Sequence, residues 1–171
     1  MLYEITESPK GEPLSLEAVK TYLRGIPGDD SEDDDVLLPL ISAAREYCEN
    51  ITGRALAPQT ITAYPEDGSV RMRLPRPPVV EIMSVTEGGE PVAYTSDPVR
   101  AFLKLERPAS SMAITYRAGY SELPSLIRQA MLLLIGHWYT NRETVVNGAV
   151  TSAEVAVSAN VMLRQYKVWW F

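Results

Sequence analysis

The fold is decided by the stretch Ile114-Thr115-Tyr116-Arg117-Ala118-Gly119-Tyr120 and by the apolar run from Pro124 to Glu143 that follows it. The first part alternates apolar and polar residues, which predicts a strand ending in a glycine turn. The second has helical spacing, and its middle, from Ala130 to Gly136, carries no charge on any side. A helix that is apolar all round must be covered all round, by the protein's own sheet or by a neighbouring subunit. The stretch therefore favours an assembly protein over an enzyme.

The composition bounds the class of protein. A chain of 171 residues, 46% of them hydrophobic, predicts one domain with its own core. The net charge of -6 and the pI of about 4.9 give no overall attraction for nucleic acid or anionic lipid. The single cysteine, Cys48, cannot form an intrachain disulfide. The longest apolar run is far shorter than the roughly 20 residues that cross a bilayer, so a soluble chain without a membrane partner is predicted.

Two helices are predicted before the strand region. Ser15 is a suitable N-cap for a short first helix, and Gly53 a suitable residue to end the second. The apolar stripe of the second helix has i, i+3, i+4 spacing and consists of Leu37, Leu40, Ile41, Ala44, Tyr47, Cys48 and Ile51. Residues 1–13 are polar and interrupted by proline, so a flexible leader is predicted there. A single domain is predicted over residues 14–171.

The strand region runs from Thr60 to Arg117, where the hydrophobic period changes to two. Glu87-Gly88-Gly89-Glu90 has the composition of a hairpin turn. The apolar helix follows, and a last helix is predicted from about Ala153 to Tyr166. The predicted fold class is therefore α+β and mainly helical. It has about four helices, with a small antiparallel β-sheet inserted between the second and the third.

The sequence offers no convincing catalytic set. His137 is the only histidine and lies on the apolar helix, where a packed residue with one hydrogen-bonded nitrogen is the simpler interpretation. Cys48 lies on an apolar stripe and is expected to be a small core residue. The acidic run Asp29–Asp35 lacks the glycine and glutamate positions of a calcium-binding loop, so we expect it to supply negative charge to a helix N-terminus. No catalytic, metal or cofactor site is predicted.

Two groups of residues are candidate functional surfaces. Arg71 and Arg73 must point the same way on a strand, and with Arg76 they form the best basic patch, although an outward polar face would look the same. The chain end carries Trp169, Trp170 and Phe171 close to Tyr166. Exposed aromatics at a terminus either fold back on the protein's own core or dock on a partner, and the sequence leaves both alternatives open.

Several segments of the chain, by their order and spacing, resemble the head–tail connector (adaptor) family of long-tailed bacteriophages. Leu74-Pro75-Arg76-Pro77-Pro78-Val79 resembles the family's proline-rich entry to its sheet, and His137-Trp138-Tyr139-Thr140-Asn141-Arg142-Glu143 resembles the end of its long helix. Met162-Leu163-Arg164-Gln165-Tyr166-Lys167 is similar to a terminal Leu-Leu-x-x-Tyr-Arg pattern, with methionine and lysine as departures. The other similar segments are residues 14–23, 43–56, 114–120 and 129–143. Residues 168–171 lie outside the pattern.

The resemblance implies a non-enzymatic structural protein of the virion, made in the cytoplasm of the bacterial host. Such adaptors form a homo-oligomeric ring, commonly of twelve copies, beneath the portal protein and above a tail-side completion or tail protein. DNA passes through the ring without specific binding, and on this interpretation Arg71 and Arg73 face the channel. The alternative is a small metal-dependent hydrolase or nuclease using the cluster Asp29–Asp35. A third hypothesis is a monomeric peptide-binding module served by the aromatic end.

Overall fold

The computed structural model describes residues 1–23, 33–65, 69–141 and 149–169, with backbone alone for residues 149–156. The described chain contains four helices and eight strands. In chain order they are β1 Leu2–Glu7, α1 Leu16–Tyr22, α2 Asp34–Thr52, β2 Gln59–Tyr64, β3 Arg71–Arg73, β4 Val79–Glu87, β5 Glu90–Pro91, β6 Tyr94–Asp97, β7 Phe102–Leu105, β8 Met112–Ala118, α3 Ser125–Thr140 and α4 Ala149–Arg164. The predicted α+β class is confirmed: β2 to β8 lie between α2 and α3, although they form two sheets and one further strand precedes α1.

The chain divides into two compact units. The first, called the strand unit here, comprises Met1–Gly11 and Gly53–Ser121. The second, called the helical unit, comprises Glu12–Thr52 and Glu122–Phe171. A single connector domain is expected over residues 14–171. It stays a prediction that the two units act together as this domain.

The strand unit consists of two antiparallel sheets with a shared core. The larger has the strand order β1-β2-β8-β4-β5, and the smaller has the order β3-β7-β6. Their inner faces contribute to one cluster of buried side chains, which includes Ile61, Ile114 and Tyr116 from the larger sheet and Met72, Leu103 and Leu105 from the smaller. The Tyr116 hydroxyl donates a hydrogen bond to the Pro75 carbonyl at 2.6 Å, so this buried polar group is satisfied.

Strand β1 lies where the sequence predicted a flexible leader. It pairs antiparallel with β2, from Leu2 opposite Tyr64 to Glu7 opposite Thr60. The Thr60 hydroxyl also donates to the Glu7 carboxylate at 2.9 Å. All six side chains of β1 are exposed, so the strand needs no apolar alternation and gave no period-two signal. Backbone pairing with β2 orders this segment.

Two predicted glycine turns are confirmed. Gly88 and Gly89 join β4 to β5 with φ of 58° and 95°, values typical of a tight hairpin turn. Gly119 follows β8 with φ of 125°, and its N–H donates to the Pro78 carbonyl at 3.0 Å. A Cβ at Gly119 would lie 2.3 Å from the Ala57 carbonyl oxygen, closer than any side chain tolerates. Only glycine therefore fits between these two backbone segments.

The helical unit contains all four helices, and α3 packs against α1, α2 and α4. Helices of its own chain thus cover most of the apolar surface of α3, although Leu126 is 36% exposed and Leu133 is half-buried. Its buried residues are Ile127, Ala130, Met131, Leu132, Leu134 and Ile135. Trp138 meets Tyr47 of α2 edge to face, with ring centroids 6.1 Å apart. The Ser15 side chain accepts a hydrogen bond from the Ala18 N–H at 3.2 Å, which confirms the predicted N-cap of α1.

Candidate functional site

The outer face of the smaller sheet carries both candidate channel arginines. On β3, Arg71 and Arg73 are exposed while Met72 between them is buried, so the predicted common orientation is confirmed. The pairing of β3 with β7 sets Arg71 opposite Lys104 and Arg73 opposite Phe102. We call the group Arg71, Arg73, Phe102 and Lys104 the basic face.

An aromatic ring lies beneath the two guanidinium groups of the basic face. The Cζ atom of Arg71 is 4.7 Å from the centroid of the Phe102 ring, and that of Arg73 is 6.0 Å from it. Both distances are within the range of cation–π attraction. Phe102 thus holds two cations over one spot on the sheet surface.

One described carboxylate, Asp97, lies beside this face. Asp97 lies opposite Phe102 on β6, but it pairs with Arg100, whose Nε is 3.8 Å from the Asp97 carboxylate. Within the described ranges, no carboxylate forms an ion pair with Arg71 or Lys104. The face is therefore locally positive on a chain whose net charge is -6.

Arg76, the third member of the predicted patch, has a different role. Its Nε donates to the Tyr3 hydroxyl at 2.9 Å, and its Cζ lies 5.7 Å from the centroid of the same ring. The residue has φ of 52°, in the turn that leads to β4. The contact ties that turn to β1, so Arg76 serves the packing of the strand unit.

The end of the described chain is attached to the helical unit at Val168. The Val168 N–H donates to the Thr52 carbonyl at the end of α2, at 2.8 Å, and the Val168 side chain is buried. Trp169 by contrast is 56% exposed, with the Lys167 ammonium 4.8 Å from its ring centroid. Tyr166 is half-buried. Trp170 and Phe171 lie outside the described residues, so their predicted interface role stays a prediction.

The acidic run is described only in part, because residues 29–32 of the cluster Asp29–Asp35 lie outside the described residues. Asp34 and Asp35 occupy the first turn of α2, as the helix N-terminus interpretation expected. Asp34 forms an ion pair with Lys20 of α1, a lysine whose side chain is 5% exposed. Within the described ranges, no group of three or more histidine, cysteine or acidic side chains is placed to hold a metal ion.

The only cysteine and the only histidine of the chain are structural parts of the helical unit. Cys48 is fully buried, as predicted, and burial raises the pKa of its thiol to about 12, which keeps it protonated and unreactive at neutral pH. His137 lies near the end of α3, where its Nδ1 is 3.1 Å from the Asn141 side-chain nitrogen. This is the helix residue with a hydrogen-bonded nitrogen that was predicted.

The helical unit also contains a buried ionic cluster that the sequence did not indicate. Arg45 on α2 has a side chain only 12% exposed, and its Nε donates to Glu12 at 2.8 Å. Its Nη1 donates to Glu49, which is 5% exposed, at 3.1 Å. The i, i+4 spacing of Arg45 and Glu49 could have indicated that pair. Nothing in the local pattern indicates Glu12, which lies 33 residues earlier.

No helix in the described part of the chain combines the length and the apolar character that crossing a membrane would demand. The exposed candidate surfaces among the described residues are the basic face of the strand unit and Trp169 of the helical unit. Surfaces of this kind, charged or aromatic and open to solvent, are typical of a protein that works by contact with other macromolecules.

Comparison with known proteins agrees with that class. The family model described as "Head completion protein" matches residues 12–156, most of the chain. The chain belongs to the head completion protein family. The resemblance to phage head–tail connectors noted in the sequence is thereby confirmed, and with it a structural role as connector.

Solved structures support the fold. A chain of the structure entitled "Virion of native gene transfer agent (GTA) particle" matches with a TM-score of 0.77 at 20% identity, covering 100% of this chain and 97% of the other. A chain from "Neck of empty GTA particle computed with C6 symmetry" matches with a TM-score of 0.76 at 20% identity, with the same coverage. A third, from "Neck of native GTA particle computed with C12 symmetry", gives 0.74 at 18% identity, again covering 100% and 97%. A search of curated proteins finds no match.

Proposed function

We propose that this protein is a ring-forming subunit of the neck of a tailed phage, prophage or related particle, where it joins head to tail around the DNA channel. The observation that carries the proposal is the family match, which extends over most of both units. The similarity to chains from particles whose necks were computed with C6 and C12 symmetry supports a ring, for which twelve copies is the expected number. The protein acts within the virion and assembles in the host cytoplasm.

The expected partners are further copies of this chain, the portal protein on the head side and a completion or tail protein on the tail side. A closed ring requires head-to-tail contacts, in which two different surfaces of each copy meet. In this ring Arg71 and Arg73 face the channel, because their face is exposed and locally positive. The DNA passes without sequence-specific binding.

The test of the ring is the size of the assembly. Native mass spectrometry and electron microscopy of the concentrated full chain, alone and mixed with the portal protein, should show a closed ring or a ring bound to portal. A chain that stays monomeric under both conditions would contradict the proposal. The hydrolase alternative has less support, because Asp34, one of the described residues of the acidic cluster, forms an ion pair with Lys20.

The aromatic end is proposed as an attachment surface formed by Tyr166, Trp169, Trp170 and Phe171. The support is that Trp169 is exposed although a large aromatic side chain gains much from burial. Aromatic anchors often dominate the energy of an interface. The end of the chain therefore contributes to binding a partner in the neck.

Two truncations separate this role from a role in the subunit's own core. Removal of residues 169–171 should leave the melting temperature unchanged while weakening ring formation or portal attachment. Removal of residues 168–171 should also lower the melting temperature, because Val168 is buried and bonded to Thr52. A fall of many degrees after the shorter truncation would show that the aromatics pack on the subunit's own core.

A further inference from the structure

We propose that the basic face binds the phosphate backbone of the DNA inside the ring, through a weak and salt-sensitive contact to which Lys104 contributes as well as the two arginines. The proposal rests on the proposed function, which places DNA within reach. It names a ligand for this face, and it adds two residues, Lys104 and Phe102, that sequence spacing alone did not connect with the arginines.

The first argument is the arrangement of like charges. Arg71 on β3 and Lys104 on β7 are directly opposite one another across the strands. Like charges in this position destabilise a sheet, because cross-strand side chains lie close together. Among the described residues of the strand unit, no carboxylate forms an ion pair with either residue, so none of these carboxylates relieves the repulsion. An anion bound between them would relieve it.

The second argument is that the cations are preorganised. Phe102 attracts the guanidinium groups of Arg71 and Arg73 from below, at 4.7 Å and 6.0 Å from its centroid. An arginine held over an aromatic ring loses less side-chain entropy when it binds a ligand. A guanidinium group also matches the geometry of phosphate oxygens, with two parallel donors.

The third argument is the chemistry of the exposed groups. The basic face presents two guanidinium groups and one ammonium group, and all three donate hydrogen bonds to phosphate oxygens. Contacts with phosphate hold a protein on the duplex without reading its sequence.

The contact must be weak in a single copy. A net charge of -6 repels DNA overall, and three phosphate contacts give little affinity at physiological salt. In a ring, many copies present the same face to one duplex, so their contacts add without any one being strong. Such a surface can slow or hold the DNA without fixing its register.

The experiment measures binding of the full-length protein to a labelled 30-base-pair duplex by fluorescence anisotropy, from 20 mM to 150 mM salt. Three phosphate contacts predict a slope of roughly -2.7 for log K against log salt, and therefore about a 200-fold loss of affinity over this range. The variants R71Q and K104Q should each reduce the magnitude of the slope by about 1. K104Q should melt no lower than the wild type, since it removes a like-charge contact, whereas R71Q also loses the contact with the Phe102 ring.

The matched control is R107Q. Arg107 is also an exposed arginine of the strand unit, but its Nη2 lies 2.7 Å from the Glu87 carboxylate and it is outside the basic face. This variant should leave the salt slope unchanged. A slope near zero for the wild type, or equal slopes for wild type, R71Q and K104Q, would overturn the phosphate contact.

Ring formation by the same variants separates this inference from the proposed function. Rings of the double variant R71Q/K104Q that form normally but show a salt slope reduced to about -0.9, the value for the one remaining phosphate contact, would support a DNA-binding face. A double variant that binds DNA as the wild type does but no longer forms rings would show that the face contacts an acidic protein surface, which overturns the proposal. Wild-type protein that forms no ring, alone or with portal, contradicts the proposed function whatever the DNA result.

Discussion

The two units of the molecule differ in whether their basic side chains are buried and paired or exposed. In the helical unit, Lys20 and Arg45 are largely buried and paired with carboxylates from other segments of the same unit. In the strand unit, the basic face is exposed, and the pairs that do form, such as Arg117 with Glu81, are about half exposed. Buried pairs require partners in fixed positions, whereas exposed cations remain accessible to a ligand.

This difference separates structural residues from candidate functional ones. Charged side chains that form buried ion pairs within a unit fix how its segments pack, and their removal should lower the free energy of unfolding. Removal of an exposed charge should instead change binding, with little effect on folding.

The largest loss is expected for Gly119→Ala in the strand unit. The new Cβ would lie 2.3 Å from the Ala57 carbonyl oxygen, and neither backbone segment can move without breaking the pairing of β8. We expect a loss above about 4 kcal/mol in the free energy of unfolding, measured in denaturant. The control is Gly11→Ala, where a Cβ meets nothing within 4 Å, and the change should stay within about 0.5 kcal/mol. A small loss at Gly119 would show that the turn relaxes.

The next largest effect is expected for Arg45→Ala in the helical unit. The change leaves Glu49, which is 5% exposed, without the guanidinium that contacts it. Removal of one member of a buried pair costs about 3 kcal/mol or more, because the remaining charge is poorly solvated. The exposed pair gives the comparison, since Arg117→Ala should cost less than about 1 kcal/mol. Equal losses for the two variants would contradict the contrast between the units.

The sequence predicted the helical unit well because its signals are local. The N-cap Ser15, the apolar stripe of α2 and the unbroken apolar surface of α3 can all be read within a window of one helix. Two features could not be read in this way. The contacts of Arg45 with Glu12 and of Lys20 with Asp34 join separate segments, and no local pattern marks them.

The strand unit was predicted less completely because its order depends on pairing between distant strands. Alternation identified β3 and β8, and the hairpin turn identified the end of β4. Strand β1 was missed because it is exposed on both faces. The basic face was found only in part, since Lys104 joins the arginines through the register of β3 with β7, which no single segment reveals.

A moderate effect is expected for Ser15→Ala at the start of α1. The Ser15 side chain accepts the Ala18 N–H, and loss of such a cap costs about 1 kcal/mol. Ser15→Asp keeps an acceptor at the same place and should retain most of the stability. Denaturant unfolding of the two variants checks the assignment. Similar losses in both would mean that the cap does not stabilise the helix.

The smallest effect is expected for Glu87→Gln in the strand unit, and it should depend on pH. The Ser110 N–H donates to one oxygen of Glu87 at 2.8 Å and Arg107 to the other at 2.7 Å. First the backbone bond from Ser110 and then Arg107 hold the pKa of Glu87 below its ordinary value. A carboxylate with a lowered folded-state pKa stabilises the fold above its unfolded pKa, and this contribution is lost as the pH falls through the folded value.

At pH 7 the melting temperature of the wild type should therefore be slightly higher than that of Glu87→Gln. This difference should be smaller than the difference between the wild type and Ser15→Ala. The difference should begin to shrink below about pH 5 and vanish at pH values below the folded pKa, where the wild-type carboxyl is also neutral. Thermal melts of both proteins across this range give the measurement. A difference that is constant with pH would mean that the shape of the Glu87 side chain, and not its charge, supports the turn. The exposed ion pairs of the strand unit would then contribute even less to stability than the contrast between the two units assumes.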